Sequence, residues 1–103
     1  MNRKTAISIA ELNQLLEGNK GVTIIDVRSE AEYLEKHIPA AVNLPVEQIE
    51  SGKINLDLRN ILVTVCGKGG GRSERAATFI REHYISEVYF LEGGTFGWFE
   101  KQS

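Results

Sequence analysis

The chain has one cysteine, two well-separated histidines and two prolines among its 103 residues. Each scarcity excludes something. A single cysteine, Cys66, makes no internal disulfide. One thiol together with His37 and His83 offers none of the usual ligand spacings, so neither a metal nor another cofactor is expected. No segment approaches the roughly 18 consecutive apolar residues of a membrane span. Met1 to Ala10 holds no apolar run of secretory-signal length. A reducing, cytoplasmic setting is therefore expected. Charge also lacks a bias. The net value of −2 provides no nucleic-acid or membrane surface. Repeats, linkers and low-complexity stretches are missing too. With 42% apolar and 25% charged residues, the composition predicts one globular domain spanning residues 1–103.

Apolar runs alternate with helical patterns, which predicts an α/β fold with a mainly parallel sheet. Ser8-Ile9-Ala10-Glu11 is a capping box followed by Leu12, Leu15 and Leu16 at helical spacing, and Gly18 and Gly21 stop that helix. Val22 to Ile25 is a buried-strand pattern ending at Asp26. A second capping box, Ser29-Glu30-Ala31-Glu32, opens a helix to about Lys36. Ala41 to Leu44 reads as a short strand and Val46 to Glu50 as a short helix. Ile61 to Val65 is the strongest strand, and Ser73 to about Tyr84 the strongest helix. Val88 to Leu91 is a last strand, and Gly93-Gly94 turns the chain into a final helix carrying Trp98. Ligand sites in parallel sheets lie at the carboxyl ends of strands. Cys66 falls at such an end.

The most informative segment of the chain comes directly after Cys66: Gly67-Lys68-Gly69-Gly70-Gly71-Arg72-Ser73. A lone thiol after an apolar strand is, taken alone, the mark of an inert buried residue. A glycine-rich strand-to-helix loop is, taken alone, common around phosphates. Together they point to a thiolate that binds anions. Glycines let successive backbone N–H groups converge on one point. The following helix N-terminus adds partial positive charge, and Lys68 and Arg72 add full charges if they turn inward. Each effect favours the thiolate, which is the nucleophilic form. The segment is not a Walker A loop, because no Gly-Lys-Ser/Thr follows its glycines in order.

Four patches make the chain resemble a single-domain rhodanese, a sulfurtransferase module, from about Ile7 to Glu100. They are Asp26-Val27-Arg28; Glu32-Tyr33 with His37-Ile38-Pro39-Ala40-Ala41-Val42-Asn43-Leu44-Pro45; the Cys66 loop; and Gly93-Gly94-Thr95-Phe96-Gly97-Trp98. The resemblance implies a central, mainly parallel sheet of about five strands with helices on both faces. It implies that Cys66 is the catalytic residue and takes the outer sulfur of thiosulfate or another small sulfane donor as a persulfide. A thiol, cyanide or a sulfur-accepting protein would then accept that sulfur. It further implies that Gly67, Lys68, Gly69, Gly70, Gly71 and Arg72 bind the anionic substrate, and that Asp26, Arg28, His37 and Ser73 support the site. For Asp26 and Arg28 the expected role is a structural pair beneath the site, and for His37 a fixed turn.

Three departures from that family stand out. Ala40 and Lys36 replace glycines outside the loop. Within the loop, five residues rather than four separate Cys66 from Arg72. That longer spacing resembles dual-specificity cell-cycle phosphatases and arsenate reductases built on the same fold, although Val65 stands where those carry a histidine. Three readings therefore stay open: sulfur transfer, phosphatase or arsenate chemistry, and a non-catalytic binding module. Phe96 and Trp98 are expected as core or site wall, His83 as a surface residue at a helix end, and Glu47, Glu50 and the other scattered charges as solvated faces.

Overall fold

The computed structural model describes residues 4–18 and 21–102. Five strands, β1 (Ala6–Ile7), β2 (Val22–Asp26), β3 (Val42–Asn43), β4 (Ile61–Val65) and β5 (Glu87–Leu91), form one sheet in the order β1-β5-β4-β2-β3. Every neighbouring pair is parallel. The connections include the helices α1 (Ile9–Glu17), α2 (Glu30–Glu35), α3 (Val46–Glu50) and α4 (Gly71–His83), and α5 (Gly94–Gln102) follows β5.

Burial on both faces explains why the central strands are apolar throughout rather than alternating. Successive side chains of β4 point to opposite faces. Leu62 and, beyond the strand, Cys66 pack with Val46 and Ile49 of α3 and Ala76, Ala77 and Ile80 of α4. Val63 and Val65 pack with Ile9 and Leu12 of α1, with Tyr33 and Trp98 at that layer's margin. Helices thus cover both faces of the sheet, as expected.

The two capping boxes form as the sequence predicts. Ser8 Oγ accepts from Glu11 N–H and the Glu11 carboxylate accepts from Ser8 N–H. Ser29 and Glu32 repeat the exchange at α2. One strand and several boundaries differ from expectation; β5, for one, begins at Glu87 rather than Val88. β1 has no signal in the sequence; it is a two-residue edge strand beside β5, too short to carry a period. β3 is confined to two residues, between the turn at Pro39-Ala40 and the start of α3 at Val46. α4 begins at Gly71 rather than Ser73, with Gly70 as its N-cap residue. Ser73 therefore lies inside the first turn, where its N–H donates to the Gly70 carbonyl (3.0 Å).

At the end of β2 the chain buries a charged pair. Arg28 Nε donates to Asp26 Oδ1 (2.9 Å) and Arg28 Nη2 to Asp26 Oδ2 (2.7 Å). Nη2 also reaches the Lys36 carbonyl (2.6 Å), which ties the end of α2 to the sheet edge. Asn43 Nδ2 bridges the Asp26 and Arg28 carbonyls (3.1 and 3.0 Å) and fixes the same corner from β3. Asp26 and Arg28 side chains are 0% and 3% exposed, so losing one partner strands a buried charge. Arg28→Met is expected to lower the unfolding free energy by about 3–5 kcal/mol, read from a urea transition. A loss below about 1 kcal/mol would remove the pair from the fold's main supports.

Candidate active site

Parallel strands end at one edge of a sheet. The ends of β2, β4 and β5 and the segments that follow them therefore converge there, and these hold Asp26-Val27-Arg28, the Cys66 loop and Gly93-Gly94. The convergence is covalently remote and physically tight. Thr95 N–H, in the first turn of α5, donates to the Cys66 carbonyl (2.8 Å), and Phe96 N–H donates to the Gly67 carbonyl (3.0 Å). Backbone lies against backbone at this seam. A Cβ on Gly69 would sit 2.3 Å from Gly93 N, and one on Gly94 would sit 2.6 Å from both the Cys66 carbonyl oxygen and Gly69 N. Both residues also have positive φ, +77° and +62°. Glycine is required at both positions on two independent grounds.

Cys66 itself is buried. Its Sγ lies 3.1 Å from the Gly70 carbonyl oxygen and 3.3 Å from Ser73 Oγ. Ser73 Oγ in turn donates to the Gly70 carbonyl (2.9 Å), and the Ser73 carbonyl accepts from Thr64 Oγ1 (2.7 Å). In the thiol form, S–H can donate to either oxygen. In the thiolate the sulfur is an acceptor, and the Ser73 hydroxyl is a donor within reach. Burial is the largest influence on the Cys66 pKa and pushes it up. The Ser73 hydroxyl and backbone hydrogen bonding from Ser73, Gly70 and Gly69 together outweigh it, and the pKa sits below the ordinary thiol value.

Neither loop cation turns inward onto the sulfur. Lys68 is exposed, with no ion pair among the described residues. Arg72 makes a two-pronged pair with Glu32 of α2, Nη1 to Oε1 at 2.8 Å and Nη2 to Oε2 at 3.1 Å. Ser29 N–H and Oγ also donate to Glu32 Oε1. The Arg72 hydrogen bonds first of all, aided by those from Ser29, hold the Glu32 carboxyl down to about 2. Glu32 is legible in the sequence as a helix-capping residue; its second role, across the site, is not. Glu50 likewise is no free surface charge, because it pairs with Arg75 and links α3 to α4.

These groups line an open cleft of about 490 Å³ that includes Glu32, Cys66, Lys68, Arg72 and Phe96. Phe96 forms its wall, with 45% of its surface exposed and its ring against Gly67. Arg28 lies behind that ring, 5.9 Å from its centre. His37 stacks on Tyr33 (3.8 Å between ring centres), and its Nδ1 is 2.8 Å from the Tyr33 carbonyl oxygen, at the end of α2. His83 stacks in the same way on Phe79 in the last turn of α4. Trp98 packs at the margin of the second core layer. A larger hollow, about 650 Å³, lies between α1 and α5 and contains neither cysteine nor histidine. Among the described residues no cluster of His, Cys, Asp and Glu could hold a metal ion, and no helix is long and apolar enough to cross a membrane.

Known proteins share this fold. The rhodanese-like domain family matches residues 8–101. The thiosulfate sulfurtransferase GlpE of Shewanella oneidensis is 34% identical over 94 residues, which cover 91% of each chain. The putative sulfur carrier protein YrkF of Bacillus subtilis is 28% identical, and the match covers 89% of this chain but 49% of that protein. The human single-domain sulfurtransferase TSTD1 superposes with a TM-score of 0.84 at 28% identity, covering 99% of this chain and all of that one.

The balance at the sulfur yields a signed expectation. Because burial raises the Cys66 pKa and Ser73 lowers it, Ser73→Ala should move the pH midpoint of Cys66 alkylation by iodoacetamide upward. The wild-type midpoint should lie below that of Ser73→Ala, because the Ser73 hydroxyl favours the thiolate. An unchanged midpoint in a folded Ser73→Ala protein would show that the hydroxyl does not support the thiolate.

Proposed function

This chain belongs to the rhodanese-like domain family, and from that premise we propose that it is a sulfurtransferase that carries sulfane sulfur as a persulfide on Cys66. The observation that carries the proposal is the buried Cys66 sulfur at the end of β4, seated on Ser73 with its pKa lowered.

The reaction runs in two halves. The Cys66 thiolate attacks the outer sulfur of thiosulfate or a similar donor. The donor S–S bond breaks, its electron pair leaves with sulfite, and a Cys66 persulfide remains. A thiolate or cyanide then attacks the terminal persulfide sulfur, and Cys66 departs as the thiolate it began as. Splitting the transfer in this way avoids a direct encounter of donor and acceptor. The acceptor half is open to a protein thiol as well as a small molecule, since the cleft is open. Gly67, Gly69, Gly70 and Gly71 shape the loop around the sulfur, and Lys68 attracts the anionic donor from its rim. Asp26 and Arg28 hold the adjoining corner, and His37 holds the end of α2. Neither a cofactor nor a strong general base is needed once the thiol is ionised. The cytoplasm, which keeps Cys66 reduced, is the setting we assign to this chemistry.

The five-residue spacing from Cys66 to Arg72 favours a phosphate or arsenate cup. Two observations weigh against that reading. The Gly70 carbonyl faces the sulfur, where an oxyanion would require donors. Arg72, which would clamp a tetrahedral anion, is held by Glu32 instead.

Incubation with thiosulfate should add about 32 Da at Cys66, one sulfur atom, and dithiothreitol should remove it. Cys66→Ser should gain nothing while keeping its circular dichroism. Hydrolysis of an aryl phosphate without any sulfur adduct would replace this reading with the phosphatase one. Absence of both reactions would leave a binding module.

A further inference from the structure

Four charged groups belong to the Cys66 cleft once the sulfur is ionised: the thiolate, Glu32, Lys68 and Arg72. Two are negative and two positive, so the cleft as a whole offers a dianion no net attraction. Glu32 is decisive in that balance. Both of its carboxylate oxygens engage both terminal nitrogens of Arg72, a bidentate geometry that fixes the guanidinium as well as neutralising it. Its carboxyl, held down to about 2, stays ionised at every pH where a thiol reacts. The cleft wall opposite in character is apolar, since Phe96 leaves 45% of its surface exposed there.

We propose that Glu32 sets donor specificity, turning the site away from dianionic donors and toward sulfane donors that carry one negative charge beside an organic group, organic thiosulfonates being the simplest class. The inference rests on the sulfur-transfer reading of Cys66. The organic group lies on Phe96, and the single charge meets Lys68. Glu32 touches neither the sulfur nor the reacting bond; it acts by holding Arg72 and by its own charge.

Thiosulfate and the methanethiosulfonate anion isolate this charge effect. In both, the Cys66 thiolate attacks the terminal sulfur and the donor S–S bond breaks. The bonding pair leaves with sulfite in the first case and with methanesulfinate in the second, and the same Cys66 persulfide anion remains. The donors differ by one negative charge and one methyl group. Glu32→Gln removes the carboxylate charge while keeping a residue that closes a capping box at α2 and can still accept from Arg72.

The measurement is the second-order rate constant of Cys66 persulfide formation, by mass, for each donor and each protein. A dianion gains twice what a monoanion gains from removal of one negative charge. The thiosulfate-to-methanethiosulfonate ratio should therefore rise about 1.5- to fivefold in Glu32→Gln, the size of one exposed charge interaction. That rise should shrink in about 0.5 M salt, where such interactions are screened. A ratio that stays constant while both rates fall would overturn the proposal and make Glu32 a support of loop order alone. A ratio that rises but ignores salt would also overturn it, since charge would not be the cause. Should neither donor add sulfur to the wild-type protein, the sulfur-transfer reading itself fails, a result distinct from both.

Discussion

The Cys66 and Gly67 carbonyls accept the first N–H groups of α5, and the rest of the site depends on that docking. It satisfies both carbonyls and fixes the start of the loop against α5. The seam closes to backbone distance because Gly69 and Gly94 lack side chains. Helix N-termini and loop carbonyls are complementary partners, each satisfying groups the other leaves open. The glycines around Cys66 thus serve two ends. Some let the chain bend about the sulfur, and others let a second element press against it.

Within that frame the sulfur is held between opposing effects. Burial disfavours the charged form, and the Ser73 hydroxyl with the neighbouring backbone favours it. Fixed dipoles rather than full charges dominate this tuning. The full charges engage one another, Asp26 with Arg28 inside the fold and Glu32 with Arg72 at the rim. A thiol tuned by dipoles keeps its ionisation largely independent of surrounding salt, whereas one tuned by surface cations would not.

Much of this is legible in the sequence, for identifiable reasons. The capping boxes at Ser8 and Ser29 are local devices whose partners lie three residues away, so α1 and α2 can be placed closely. β2 and β4 are apolar because both faces of the sheet are covered, and an unbroken apolar run is easy to see. β1 is different: Ala6–Ile7 is a strand because β5 lies beside it, and no local pattern announces that. The same divide runs through the site. The Cys66 loop is contiguous and can be recognised; the pairing of Glu32 with Arg72 spans α2 and α4 and depends on side-chain direction. Charges in a sequence do not disclose which opposite charge will capture them. The start of α4 is displaced for a related reason, since Gly70 caps it through backbone alone.

The seam between the Cys66 loop and α5 also bears on the order of assembly. The thiol and its glycine loop are made first, and the groups that seat them, Gly93 to Phe96, come well after on the chain. β5 intervenes, and it must find β4 before α5 is brought to the loop. Contacts of this kind between distant segments form late in folding, because the chain must be closed over a long stretch first. A chain whose α5 has not yet docked would therefore leave the Cys66 and Gly67 carbonyls without their Thr95 and Phe96 donors, and the loop without its seat.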